Sequence, residues 1–237
     1  MAYRTIDAQL VLQTLEKLRL RIGERFPKAG LGKVCAELAL LATDTQTRVT
    51  ELAKPMIWIR LGVGLVLAAG LGLAAYGIHA IGFKSGEAEM LSLVSALEST
   101  VNLILVVGAG VFSLTSLEAR LKRHTAMGAL HELRSIIHVI DMHQLTKDPV
   151  MFGAKRTKAS PDHKLSPFEL VRYLDYCSEM LSLSGKLAAL YAQDFNDPDV
   201  IEAASDIEQL ATNLSQKVWQ KITIVQTSSP AMLAMET

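Results

Sequence analysis

The chain has 237 residues, half of them apolar and a fifth charged, and its 24 cationic and 24 acidic side chains cancel. A formal charge of zero supplies no global field for nucleic acid, and the mean hydropathy of +0.26 leans towards lipid. The two cysteines, Cys35 and Cys177, stand far apart and form neither a CxxC nor a zinc-type spacing, so unpaired thiols in a reducing compartment are expected.

Residues 1–54 read as N-terminal cytoplasmic helices. From Thr5 to about Glu24, the residues Ile6, Leu10, Leu15, Leu18 and Ile22 form one stripe at helical spacing. Phe26-Pro27-Lys28-Ala29-Gly30 breaks it. A second helix from about Leu31 to Ala53 carries Val34, Leu38, Leu41, Val49 and Leu52 and stops at Lys54-Pro55, because proline pushes the preceding residue out of the helical region.

Residues 55–118 read as a transmembrane hairpin with spans at about 61–83 and 97–117 and a short outer connector, 84–90. A helix rising 1.5 Å per residue needs about 20 apolar residues to cross a hydrocarbon layer of about 30 Å, and each span supplies them. Two buried helices of a soluble core are the alternative, but such helices seldom run this long without a charge. Lys54, Trp58 and Arg60 flank the first span, and Arg120, Lys122 and Arg123 follow the second, as interfacial anchors do. The bias in Lys and Arg puts both termini in the cytoplasm. The many polar residues before the first span argue against a cleaved leader, and a bacterial inner membrane is the default location.

Small residues on the first span, Gly64, Ala68 and Gly72, repeat every four positions, as do Gly70 and Ala74. Such faces let backbones approach in lipid, either against the second span or against another copy. Polar residues in a membrane are costly and so informative. His79, Glu98 and Asn102 fall at similar depth near the outer ends of the two spans. Glu98 could form a ring of carboxylates at the mouth of a cation path, rest among headgroups, or pair with His79.

The helical pattern continues past the second span. Residues 119–145 read as its cytoplasmic extension, because Ser113 to Leu145 holds no proline and a single glycine, Gly128. Ala126, Leu130, Leu133, Ile137 and Ile140 alternate steps of four and three, the seam of a helical bundle. His124, His131 and His138 form a polar stripe at steps of seven. That spacing is about 10 Å, too far for a shared metal within one chain, although rings in a symmetric assembly could sense pH. His143 points away from this stripe.

Residues 146–165 read as a basic loop carrying Lys147, Lys155, Arg156, Lys158 and Lys164. Such a cluster is attracted to anionic lipid if it lies close to a membrane; a solvated loop is the plain alternative. Residues 166–225 read as a cytoplasmic αα-hairpin and 226–237 as a loose tail. Ser166, Pro167 and Glu169 give a capping box, and Leu165 with Leu170 a hydrophobic staple. The first arm is apolar around much of its girth: Leu170, Leu174, Cys177 and Leu181 lie on one stripe, and Tyr173, Tyr176, Met180, Leu183, Leu187 and Leu190 on another. It wants contacts on several sides, from an intrachain bundle or from a partner.

The expected fold is therefore an all-α membrane protein, a two-span helical hairpin with a helical cytoplasmic domain. No Walker, GxSxG, HExxH or kinase pattern occurs, and the paired glycines lie in a span rather than a strand-turn-helix. No catalytic residue, cofactor or metal is assigned, and no enzyme activity is expected. The lipid bilayer is the expected environment. A homo-oligomeric, channel-like pore is the functional reading, and a membrane-anchored scaffold that recruits a cytoplasmic protein is the alternative.

Overall fold

The computed structural model describes residues 5–81, 89–147 and 165–228. Six helices follow in chain order: α1 (Ala8–Arg25), α2 (Leu31–Ala53), α3 (Ile57–Ile81), α4 (Glu89–Leu145), α5 (Pro167–Asp194) and α6 (Pro198–Ser228). Among the described residues there is no strand. Contacts divide the chain into two compact units, Lys54–His124 and the combination of Met1–Ala53 with Thr125–Thr237.

The larger unit is a helical bundle of α1, α2, the part of α4 from Thr125 onwards, α5 and α6. Asp7 accepts hydrogen bonds from the amides of Gln9 at 2.8 Å and Leu10 at 3.4 Å, so α1 begins at Ala8 rather than Thr5. Its buried stripe is Val11, Leu15, Leu18 and Ile22, whereas Leu10 is 58% exposed, which corrects the expected stripe at one position. The expected start and stop of α2 match its observed bounds.

Helix α5 lies at the centre of the bundle, touching α1, α2 and α6. Its start is fixed by the expected capping box: Ser166 Oγ accepts from the Glu169 amide at 3.3 Å, and Glu169 Oε2 accepts from the Ser166 amide at 2.8 Å. Both apolar stripes of α5 are buried within this one chain. Burying a Leu-sized side chain contributes roughly 1.5–3 kcal/mol, so α5 draws its stability from all sides of the bundle at once. The α4 seam of Ala126, Leu130, Leu133, Ile137 and Ile140 enters the same core.

Polar ties set the registers. Arg21 of α1 bonds Glu179 of α5 at 2.6 Å, and Tyr191 of α5 donates to Thr45 of α2 at 3.4 Å. Arg48 of α2 meets Glu132 of α4 at 2.9 Å, and Ser178 of α5 meets Ser215 of α6 at 2.6 Å. Lys221 of α6 donates to both the carbonyl and the side-chain oxygen of the buried Gln144, at 2.8 and 2.6 Å. Helix α6 continues to Ser228, past the expected end at 225, because the apolar seam of Val218 and Ile222 extends to the fully buried Val225.

The smaller unit is the apolar hairpin. Both of its helices are long and apolar enough to cross a membrane. Helix α3 starts four residues before the expected span, at Ile57, because the amides of Ile59 and Arg60 both donate to the Met56 carbonyl, at 3.1 and 3.2 Å. Helix α4 runs without a break from Glu89 to Leu145, as the run free of proline predicts.

Candidate functional site

The hairpin holds most of the residues that sequence singles out, and its packing is specific. Helices α3 and α4 meet through glycine. A Cβ added at Gly70 would stand 2.6 Å from Val107 Cγ2, one at Gly110 would stand 3.2 Å from Val66 Cγ1, and one at Gly62 would stand 3.5 Å from Leu114 Cδ1. The Gly70–Ala74 series therefore faces the second span. Gly64 and Gly72 have nothing within 4 Å of an added Cβ, and Ala68 is exposed. Of the two small-residue series, one closes the hairpin and the glycines of the other have no neighbour among the described residues.

Two open grooves flank this contact. One, of about 680 Å³, is lined by residues including Gly70, Ala74, Thr100, Leu103, Val107 and Val111. The other, of about 550 Å³, is lined by residues including Gly77, Ile78, Ser99, Asn102 and Val106. Their walls are mostly apolar, with Thr100 in both and Ser99 and Asn102 adding polar groups to the second.

His79, Glu98 and Asn102 are all exposed. Among the described residues, no hydrogen bond or ion pair joins His79 to Glu98, so the hairpin does not use that pairing. On α4 between Val94 and Thr115 the half-buried positions are Ala96, Leu103, Val107, Gly110, Val111 and Leu114. Glu98 is five residues from Leu103, about 140° around the helix, and so projects away from the face that packs on α3.

At the opposite end of the hairpin a residue not singled out by its sequence context closes the structure. The Met56 amide donates to Glu118 Oε1 at 3.1 Å, and Lys122 Nζ lies 3.1 Å from the same oxygen. Glu118, just beyond the second apolar run, thus caps α3 from across the hairpin. The Met56 N–H, Lys122 and Arg60 together hold its carboxyl below the usual carboxylate range. A spacing of four between Glu118 and Lys122, directly after the apolar run, is the signal that could have drawn attention to it.

In the helical bundle, His131 and His138 are exposed, and so is His124 at the edge of the hairpin unit. His131 lines an open groove of about 320 Å³ with Arg134 and, from α6, Asp199, Glu202 and Asp206. Among the described residues, no group of three His, Cys, Asp or Glu is arranged to hold a metal. Among the described histidines, His143 is half-buried, with Nδ1 3.4 Å from the Tyr173 hydroxyl. A Cβ at Gly30 would stand 2.8 Å from His143 Cε1, so the turn before α2 needs glycine to seat this ring.

Tyr173 belongs to an aromatic group at that end of the bundle. Phe26 packs edge-on against Tyr173 and Tyr176, with centroids at 5.5 and 6.2 Å. Cations cover the ring faces: Lys147 over Tyr173 at 5.2 Å, Arg25 over Phe168 at 5.3 Å, and Arg172 over Tyr176 at 5.1 Å. Lys147 is thus the basic-loop residue with a visible role, while Lys155, Arg156, Lys158 and Lys164 lie outside the described residues. Burial pushes the Tyr173 hydroxyl well above its ordinary range, so it stays a neutral phenol.

Comparison with known proteins found no matching family model, no similar curated protein and no similar solved structure, so the function rests on these residues alone.

Proposed function

We propose that the chain is a homo-oligomeric integral membrane protein whose hairpins surround an ion-conducting pore controlled by the helical bundle. The observation that carries this reading is Glu98, an exposed ionisable side chain that shares its face of α4 with Ser95 and Asn102, projects away from the α3 contact and makes no bond to the described residues. A carboxylate in that setting needs water, headgroups or a second copy beside it. The open Gly64–Ala68–Gly72 face adds support, since it is available for close approach by another hairpin. The charge bias at the span ends favours cytoplasmic termini, and a bacterial inner membrane remains the working location.

The scaffold alternative drew its motive from the excess apolar surface on α5. That surface is buried by the chain's own helices, so the pore reading is preferred.

Reconstitution into planar bilayers tests the proposal. Wild-type protein should conduct cations in discrete steps, and Glu98→Gln should lower cation selectivity or unitary conductance. Silence of the wild type at all voltages and pH values, with insertion verified, would remove the pore reading. Light scattering in detergent should give a mass that is a multiple of the chain, and Gly64→Leu with Gly72→Leu should reduce it. A monomer in every detergent would end the oligomer reading.

A further inference from the structure

The Glu118 cap does more than close the hairpin, because it gathers charge. The hydrogen bond between the Met56 amide and Glu118 fixes the start of α3 beside α4. Lys54, Arg60, Arg120, Lys122 and Arg123 all lie within five residues of its two ends. At a rise of 1.5 Å per residue the helical members, Arg60, Arg120, Lys122 and Arg123, lie within about 8 Å of the cap along the helix axes, and Lys54 stands two residues before Met56. From Lys54 to Ile81 there is no carboxylate, and from Ser99 to His124 there is only Glu118, which is engaged with Lys122. Lys54, Arg60 and Arg120 are exposed; Arg60 acts on Glu118 through its field, and none of the three stands within ion-pair distance of a described carboxylate. Beside them Ile57 is 73% and Trp58 60% exposed, an aromatic and an aliphatic side chain at the border of the apolar run.

Exposed cations in this excess, above a greasy rim with an interfacial tryptophan, match one environment: phosphate groups at the edge of a bilayer. The α3 N-terminus itself is not what attracts the anion, since Glu118 already occupies it. We infer that this end of the hairpin is a collar that binds the phosphate headgroups of anionic lipids, with Lys54, Arg60 and Arg120 as its cations. The collar rests on the membrane reading above and adds to it a preference among lipids. Arg60 lies one turn inside the start of α3 and reaches the headgroups by extending its stem along the apolar surface. Trp58 sets the depth.

The test uses the full chain in a neutral detergent, supplied with equal amounts of phosphatidylcholine and phosphatidylglycerol, followed by assay of the phospholipid it retains. Phosphatidylglycerol should be enriched several-fold, up to about fivefold for each cation that reaches the surface. The triple change Lys54→Gln, Arg60→Gln, Arg120→Gln should erase the enrichment, and the charge-preserving triple Lys54→Arg, Arg60→Lys, Arg120→Lys should keep it. Single Gln variants give the same reading in smaller steps if the triple variant does not fold. Equal retention of both lipids by the wild type, or undiminished enrichment in the Gln variants, would overturn the collar. Displacement of phosphatidylglycerol by inorganic phosphate at matched ionic strength would overturn the lipid assignment. Protein that stays dissolved without detergent and retains neither lipid would instead refute the membrane reading itself.

Discussion

A methyl group at Gly70 would overlap Val107, whereas one at Gly64 or Gly72 would meet open space. Overpacking of this kind costs typically 1–3 kcal/mol. Gly70→Ala should therefore lower the thermal midpoint of the hairpin in detergent, and Gly64→Ala should leave it unchanged. Gly30 poses the same question in the bundle, because its neighbour is one histidine ring. Gly30→Ala should destabilise the bundle on chemical denaturation, and the cost should shrink in a His143→Ala background; equal costs in both would mean that His143 is not the obstacle. The thiols give a third residue-scale expectation. Cys35 and Cys177 are fully buried and free, and burial pushes them up to about 11 and about 12. The thiolate is the reactive form, so neither should react with maleimide at neutral pH until the bundle unfolds. Rapid labelling of native protein would show that the core opens.

At the scale of elements, helix ends were the easiest features to read and helix faces the hardest. Ser166, Pro167 and Glu169 act within one turn of chain, so their capping box was legible from spacing alone. Ser166→Ala should cost about 1 kcal/mol of bundle stability by denaturant titration. The choice between Leu10 and Val11 for the core was not legible, because neighbouring residues differ by only 100° and the packing of α1 on α2 and α5 decides which is covered. The same holds for the glycines of α3. Both small-residue series have the right period, and only the direction from which α4 approaches selects Gly70. Leu174, fully buried on α5, is a case where period and burial agree, and Leu174→Ala should cost about 2–5 kcal/mol.

At the scale of the whole molecule, the chain forms two compact units, of which one is built from two helices long and apolar enough to cross a membrane. The bundle is held by apolar burial, and the hairpin by close glycine contacts and the Glu118 cap. Denaturation should accordingly show two transitions rather than one, with Leu174→Ala moving the first and Gly70→Ala the second. A single transition shifted by both changes would mean that the units unfold together.

The amino-acid order alone determined the helical class, the two long apolar runs, and the start of α5, because each follows from composition, period or a turn of local chemistry. Folding in three dimensions decided the rest. It buried both stripes of α5 inside one chain, put the ring of His143 beside Tyr173, and brought Met56 to Glu118. These outcomes join residues tens of positions apart, and no local rule of spacing specifies which faces will meet.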